Sequence, residues 1–377
     1  MQVSDDHEFL YFYGAEMLFE IARFWTSITT YNLALDQYEI KGVMGPDEYH
    51  AAYPDADPEK EGGIDNNAYT NVLAAWVLTR ACDVVDLLPA IHSAQLFERL
   101  GLKLSEIDRW DDISCKLRVP FHDDGIISQF EGYEDLEEFD WQGYRDKYGD
   151  IHRLDRLLEA EGDTPNRYKI SKQADVLMLF YLFSADELFL LFEQLAYPFD
   201  HDTIPKNIDY YLARTSHGST LSEVAHSWVL ARSNRSRSWH LFQGALDSDL
   251  ADRQGGSTPE GIHVGAMAGT IDLIQRCYIG IEMRANILHF DPVLRDDLRR
   301  VKVQLRYRRQ WLDVEVNHDL LRISSKSFTS SPIKVAYRGR YRDVAPGDMC
   351  EFRLLKPQER DRDENQAVPS LKKALRS

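Results

Sequence analysis

Along residues 9–29 the apolar side chains recur at helical spacing, at Phe9, Phe12, Tyr13, Met17, Phe19, Ile21 and Phe24, with Glu16 and Glu20 four apart on one face. The stripe is nearly continuous, so the pattern predicts a helix buried in a larger helical assembly. Further helices are predicted over residues 72–88, over 104–119 with acids early and bases late, and over the strongly apolar 173–196. Shorter helical patterns cover residues 205–211, 221–232, 239–245 and 265–279. Between them run polar and aromatic loops at 121–153, 162–170, 214–219 and 252–262, and loops this long in a compact body usually serve function. After about residue 285 the period changes to two: 301–307, 312–316, 321–324, 334–337 and 350–354 read as strands separated by turns. The expected fold is a mainly α body followed by a small antiparallel β domain, then a charged frayed tail from about residue 358. No short-period repeat is evident, yet long helices alternating with loops fit a toroid of helical pairs.

Composition narrows the function. The 377 residues are 44% hydrophobic and 11% aromatic, the balance of a globular chain large enough for a sizeable core. A formal net charge of −18 argues against a nucleic-acid partner, though a local cluster of donors still permits a small anion. The four cysteines, Cys82, Cys115, Cys277 and Cys350, are too scattered for a metal knuckle or a disulfide framework and fit a reducing cytoplasm. No signal peptide is expected from the polar opening, and no apolar run reaches the ~18 residues of a membrane span.

The chemistry centres on Gly45-Pro46-Asp47-Glu48-Tyr49-His50, joined by a polar loop to Ile64-Asp65-Asn66-Asn67-Ala68-Tyr69-Thr70-Asn71. A Gly-Pro turn stops one element and projects the residues beyond it, and a carboxyl held there among aromatics is a candidate general acid. Taken alone, such a turn is a solvated loop. Four more blocks accompany it: Gly14-Ala15-Glu16-Met17-Leu18-Phe19-Glu20, Lys172-Gln173-Ala174-Asp175-Val176, Thr215-Ser216-His217-Gly218-Ser219-Thr220-Leu221-Ser222 and Gly261-Ile262-His263-Val264-Gly265-Ala266-Met267.

In this order and spacing the five blocks resemble glycoside hydrolase family 65, inverting disaccharide phosphorylases acting on maltose, trehalose, kojibiose and related α-glucosides. The resemblance covers residues 8–340 and implies an (α/α)6 barrel with a small C-terminal β domain, here with a barrel over 1–287, a β domain over 288–357 and a tail over 358–377. Family members begin with a large β-sandwich and further barrel helices, so the chain resembles a C-terminal portion, with the start of the barrel lacking.

By that resemblance Glu48 is the general acid, protonating the departing oxygen, its pKa expected to be raised by burial and by Asp47. Lys172 and Gln173 match the pair that binds donor-glucose hydroxyls, and Tyr49, Asn66 and Asn67 are expected to line the pocket. Ser219 and Thr220, opening a helix, with His263 form the implied phosphate cradle. Each has a plainer reading. Ser-Thr or Asn-Asn before a helix is an N-terminal cap, a first-turn lysine is solvated surface, and Trp25 and Trp141, candidates for stacking on sugars, are core residues in most helices.

The expected reaction converts an α-linked disaccharide or glucoside and phosphate to β-glucose 1-phosphate, with no cofactor or metal beyond that co-substrate. A homodimer or a separately encoded N-terminal half is the implied partner, with no nucleic acid and no membrane. Two alternatives stay open: a hydrolase of the same family using water, and an inactive carbohydrate-binding or assembly fragment.

Overall fold

The structure, a computed structural model, describes residues 3–57, 59–231, 233–252, 258–284, 286–326 and 329–355. The expected tail at 358–377 lies outside the described residues. Two compact units divide the chain: Glu8–Thr270, and the residues through His7 together with those from Ile271 onward.

The helical unit is entered through α1 (His7–Phe9) and a π-helical turn at Leu10–Gly14 that leads into α2 (Ala15–Ile28). A hairpin of β1 (Thr29–Asn32) and β2 (Gln37–Ile40) precedes α3 (Ala68–Leu87), α4 (Ala90–Leu100) and α5 (Leu104–Lys116). Next come α6 (Trp141–Tyr148), α7 (Leu154–Glu161), α8 (Asp175–Leu182), α9 (Ala185–Gln194) and α10 (Thr203–Leu212). The helical series closes with α11 (Thr220–Leu230), α12 (Arg235–Asp247) and α13 (Val264–Leu273). Helix α3 is central. Its Ala74, Ala75 and Ala81 are fully buried, and small side chains there let α2 and α5 approach closely, Phe19 meeting Trp110 at 5.6 Å between ring centres.

Three helical expectations change. Of the seven apolar residues in the first stripe only Phe19 is buried; Phe9, Phe12, Tyr13, Met17, Ile21 and Phe24 are exposed. Leu10, Ala15, Phe19 and Ala22 form the narrower face that packs on the core, so α2 is apolar on a second, uncovered side. The single helix expected over 173–196 is two. Phe183 is extended, and Ser184 restarts the chain with a capping box, its hydroxyl accepting the Glu187 N–H at 3.3 Å while Glu187 accepts the Ser184 N–H at 2.9 Å. Helices α4, α6 and α7 occupy stretches that gave no helical pattern, α6 lying inside the loop expected at 121–153.

The β unit holds two four-stranded sheets around one core. The first runs in the order β10 (Met349–Arg353), β7 (Leu320–Ser325), β6 (Gln310–Asn317), β5 (Arg300–Tyr307). The second runs β3 (Ile281–Arg284), β4 (Ile287–Phe290), β8 (Ile333–Tyr337), β9 (Arg340–Val344). Alternation along β6 puts Leu312, Val314 and Val316 inside with Leu288, Val335 and Phe352. All strand pairs are antiparallel except β4 with β8, so the unit is antiparallel-rich and not wholly antiparallel. Strands β3, β4 and β9 are short or half-exposed and carry too little alternation to be read from sequence. Among the described residues no helix is long and apolar enough to cross a membrane.

Candidate active site

The Gly45–His50 turn is held from three directions. Upstream, Val43 and Ile64 exchange backbone hydrogen bonds of 3.0 and 2.7 Å, clamping the loop that contains the turn. Asn66 adopts a left-handed conformation (φ 51°), and its side-chain oxygen accepts the Ile40 N–H at 3.2 Å. Asn67 caps α3: its oxygen accepts the Thr70 N–H at 2.9 Å, while its amide nitrogen donates to Asp175 at 2.7 Å and to the Gln129 carbonyl at 3.1 Å. Asn66 and Asn67 are fully buried. The structure therefore gives Asn67 a cap's place beneath the turn and not a place on an open wall.

Glu48 projects from this turn, its side chain 67% exposed, and accepts a hydrogen bond from the Lys172 ammonium at 3.0 Å. The shielding expected for Glu48 falls instead on its neighbour. Asp47 is buried, and burial pushes its carboxyl up to about 7 against the pull of hydrogen bonds from Gln129 and from the Lys172 and Tyr49 backbone. Asp175, equally buried, is pushed well above the usual carboxylate range by burial and by Asp47. Gln173 donates to the Pro46 carbonyl at 3.2 Å, and its buried side-chain oxygen has no partner among the described residues. An orphan buried acceptor of this kind suits a hydroxyl brought by a ligand.

Tyr49 is nearly buried and shares a hydrogen bond of 3.0 Å with the Ser216 hydroxyl, which ties the acid's turn to the 215–220 loop. That loop is set beside Lys172 by a parallel bridge between Ser171 and Thr215. Gly218 sits where the segments meet. A Cβ there would lie 2.5 Å from the His152 carbonyl and 3.1 Å from both the Lys172 stem and the Tyr49 hydroxyl, so only glycine fits. Ser219 then caps α11, its hydroxyl accepting the Leu221 N–H at 3.3 Å, and Thr220 is its buried first residue. The cap reading of Ser219 is thus realised, and α11 begins two residues after Gly218, which lies against the Lys172 stem.

His263 precedes α13. Its Nδ1 and backbone N–H both face Asp249, at 2.6 and 2.9 Å, which fixes the ring and leaves Nε2 as its other polar atom. The hydrogen bond from His263 holds the Asp249 carboxyl below its usual range. Gly265 lies against Leu221, its Cβ position 3.4 Å from that side chain, so α13 and α11 begin side by side. His263 and Ser219 are thereby brought to one end of the unit.

Glu48, Tyr49 and Lys172 line a cleft of about 340 Å3 together with Asp155, Asp163 and Asn166. Trp141 packs on Phe139 at 5.1 Å in the aromatic cluster that includes Tyr49, and Trp25 packs on the main core. Asp175, Gln129, Ser216 and Asp249 were not singled out from sequence. Asp175 and Ser216 sit inside recognisable blocks, whereas Gln129 and Asp249 carry no local signal. Among the described residues no cluster of three or more His, Cys, Asp and Glu side chains is placed to hold a metal ion.

An open cleft with a carboxylic acid on its lip, beside helix ends rich in N–H and hydroxyl donors, suits a protein that breaks glycosidic bonds. The chain belongs to glycosyl hydrolase family 65: that family's central catalytic domain matches residues 1–272, and its C-terminal domain matches residues 281–341. An uncharacterised glycosyl hydrolase of Mycobacterium tuberculosis is 50% identical over 350 residues, 93% of this chain and 26% of that protein. The trehalose 6-phosphate phosphorylase of Lactococcus lactis is 34% identical over 86% of this chain and 40% of its own length. A kojibiose phosphorylase of Halothermothrix orenii is 31% identical over 86% of this chain and 38% of its own. A solved structure described as a candidate kojibiose phosphorylase from the human microbiome superposes with a TM-score of 0.73 at 24% identity, covering 94% of this chain and 45% of that one, a likeness of fold. The chain thus spans less than half the length of these relatives.

Proposed function

We propose that this chain carries the acid and phosphate sides of an inverting α-glucoside phosphorylase, which cleaves an α-linked disaccharide with phosphate to give β-glucose 1-phosphate. The observation that carries this reading is the meeting of three segments at Gly218, which sets the Glu48–Lys172 pair beside the start of α11. Glu48 protonates the departing oxygen. Lys172 and the unpaired oxygen of Gln173 bind donor hydroxyls, and Tyr49 holds the wall between. Phosphate, the co-substrate, binds at the paired starts of α11 and α13, where Ser219, Thr220 and the Nε2 of His263 offer polar groups at the positive ends of the two helices. No cofactor or metal takes part. Arriving as an anion, phosphate attacks the anomeric carbon from the face opposite the leaving group and inverts it.

The same-family hydrolase reading draws on Asp155 and Asp163, two further carboxylates on the cleft. Asp155 is paired with Arg153 and Asp163 with Tyr168 and Arg167, so neither is a free base for water. The macromolecular partner of this chain is a second copy of it or a separately encoded N-terminal half. Four cysteines, none of them in a disulfide, suit a cytoplasmic location.

The test is to incubate the protein with trehalose, maltose or kojibiose, with and without phosphate, and to monitor the first sugar formed by NMR. Phosphate-dependent β-glucose 1-phosphate is the expected product. Free glucose released at the same rate without phosphate would overturn the phosphorylase reading, and α-glucose 1-phosphate would overturn inversion.

A further inference from the structure

Beneath the acid's turn lie two carboxylates that do not line the cleft beside Glu48. Asp47 and Asp175 are each 1% exposed and come from segments far apart in the chain. All four of their oxygens accept N–H donors. Asp175 accepts the backbone N–H of Asp47 at 2.7 Å on one oxygen and the Asn67 amide at 2.7 Å on the other. Asp47 accepts the backbone N–H of Lys172 at 3.0 Å on one oxygen and the Gln129 amide at 2.9 Å on the other. Gln129 closes the ring, its own oxygen accepting the Asp175 N–H at 3.3 Å. The turn is pressed onto this set so tightly that a Cβ at Gly45 would fall 1.9 Å from an Asp175 oxygen.

Two buried carboxylates are a poor way to gain stability, since an apolar pair of the same volume avoids their desolvation. Their yield is geometric. Asp47 is the residue before Glu48, and its carboxylate holds the peptide N–H of Lys172, so one side chain fixes the backbone under both partners of the 3.0 Å Glu48–Lys172 contact. Asp175 in turn fixes Asp47 through its N–H. We propose that Asp47 and Asp175 are positioning residues, a buried bracket that sets the proton-donating carboxyl of Glu48 against Lys172. The proposal rests on the reading of Glu48 as the general acid.

The geometry ranks the variants. In Asp47→Asn the new NH2 faces Gln129, which answers by flipping its amide, so that an NH2 replaces the acceptor of the longer 3.3 Å bond and the mismatch moves to the widest contact of the ring. In Asp175→Asn the NH2 faces either a backbone N–H or Asn67, whose oxygen is committed to the Thr70 N–H, so no flip relieves it. Asp47→Asn is the variant expected to fold normally, and Asp175→Asn the more damaging one.

The first measurement is hydrogen–deuterium exchange on the full chain, with no substrate. In Asp47→Asn the peptides spanning residues 44–50 and 170–175 are expected to exchange about 10-fold faster or more, while α3 keeps its protection. Unchanged exchange in those peptides, or an equal rise throughout the chain, overturns the bracket. The second is kinetic, with phosphate as acceptor and two donors: a disaccharide, whose leaving oxygen needs a proton, and α-glucosyl fluoride. In the latter the C1–F bond breaks as a C1–O bond to phosphate forms, and fluoride departs with the electron pair unaided by an acid. The disaccharide kcat is expected to fall ~10-fold in Asp47→Asn and ~100-fold in Asp175→Asn, the scale of a group displaced by about 1 Å, with KM within about threefold. The fluoride rate is expected to stay within about threefold of wild type. Equal losses on both donors would mean a merely structural role and overturn the proposal. If wild type turns over neither donor with phosphate, the phosphorylase reading fails for this chain, and the exchange measurement alone decides the bracket.

Discussion

The Lys172 ammonium donates to the Glu48 carboxyl at 3.0 Å, and in the reading proposed above that carboxyl supplies the proton to the departing oxygen. Glu48→Gln is therefore expected to lower turnover at least ~10²-fold, the low end for a lost general acid, while ligand affinity persists. A variant retaining a tenth of wild-type activity would remove Glu48 from that role. Ser219→Ala with His263→Ala is expected to raise the phosphate KM far more than the glucoside KM, because the groups lost face the anion. Steady-state kinetics with both substrates varied reads this directly, and a collapse of glucoside affinity alone would refute it. Burial also sets a pH dependence. His50 and His217 are held neutral, each pushed down to about 4 by burial, so the folded state resists protons that the unfolded chain takes up at its ordinary 6.5. Their contribution is full above pH 6.5 and is lost as pH falls toward 4, at up to about 1.4 kcal/mol per pH unit for each group. Asp47, pushed up to about 7, acts in the opposite sense: its contribution is greatest at low pH and is lost as pH rises toward 7. His50→Phe is expected to flatten the acid-side fall of Tm between pH 6.5 and 4, and an unchanged slope in thermal melts would contradict this. At this scale the sequence was legible where residues of the cleft fall in contiguous blocks, as at Glu48 and Lys172. It was silent on Gln129 and Asp249, whose partners lie 82 and 14 positions away and obey no spacing rule.

Helix boundaries track caps more closely than they track apolar runs. The unbroken apolar character of 173–196 hid the break before α9, although Ser184-Ala185-Asp186-Glu187 spells a capping box within it. Ser184→Ala is expected to destabilise the protein by about 1 kcal/mol, measured as a lower denaturation midpoint with unchanged m-value. No loss would mean that packing of Leu188, Leu191 and Phe192 alone fixes the start of α9. The strands legible in the sequence were β5 to β8 and β10, with the cleanest alternation in β6 and β7, where one face of each is buried. The parallel pairing of β4 with β8 had no sequence counterpart, since alternation fixes which face is buried and not which strand lies alongside.

For the molecule as a whole the change from helical to period-two patterning was plain, whereas the surface of α2 was misjudged. Phe12, Tyr13, Met17 and Phe24 are each more than half exposed, and the last three succeed one another along a single helical stripe. Apolar surface in such a run marks a contact site or an aggregation hazard. The 377-residue chain alone is expected to self-associate, with Phe12→Ser and Met17→Lys together lowering the weight-average mass in sedimentation. A monodisperse monomer at tens of micromolar would contradict this.

At Gly218 and Gly45 the missing side chains are spaces already filled, by a carbonyl and a tyrosine hydroxyl at one and by a buried carboxylate at the other. In a saturation library selected for activity, both positions are expected to accept glycine alone, with alanine as poorly tolerated as tryptophan. Gly101 and Gly125, which have open space where a Cβ would stand, are expected to admit asparagine at their positive φ. Such a map would trace the site through the residues that have no side chain to contribute to it.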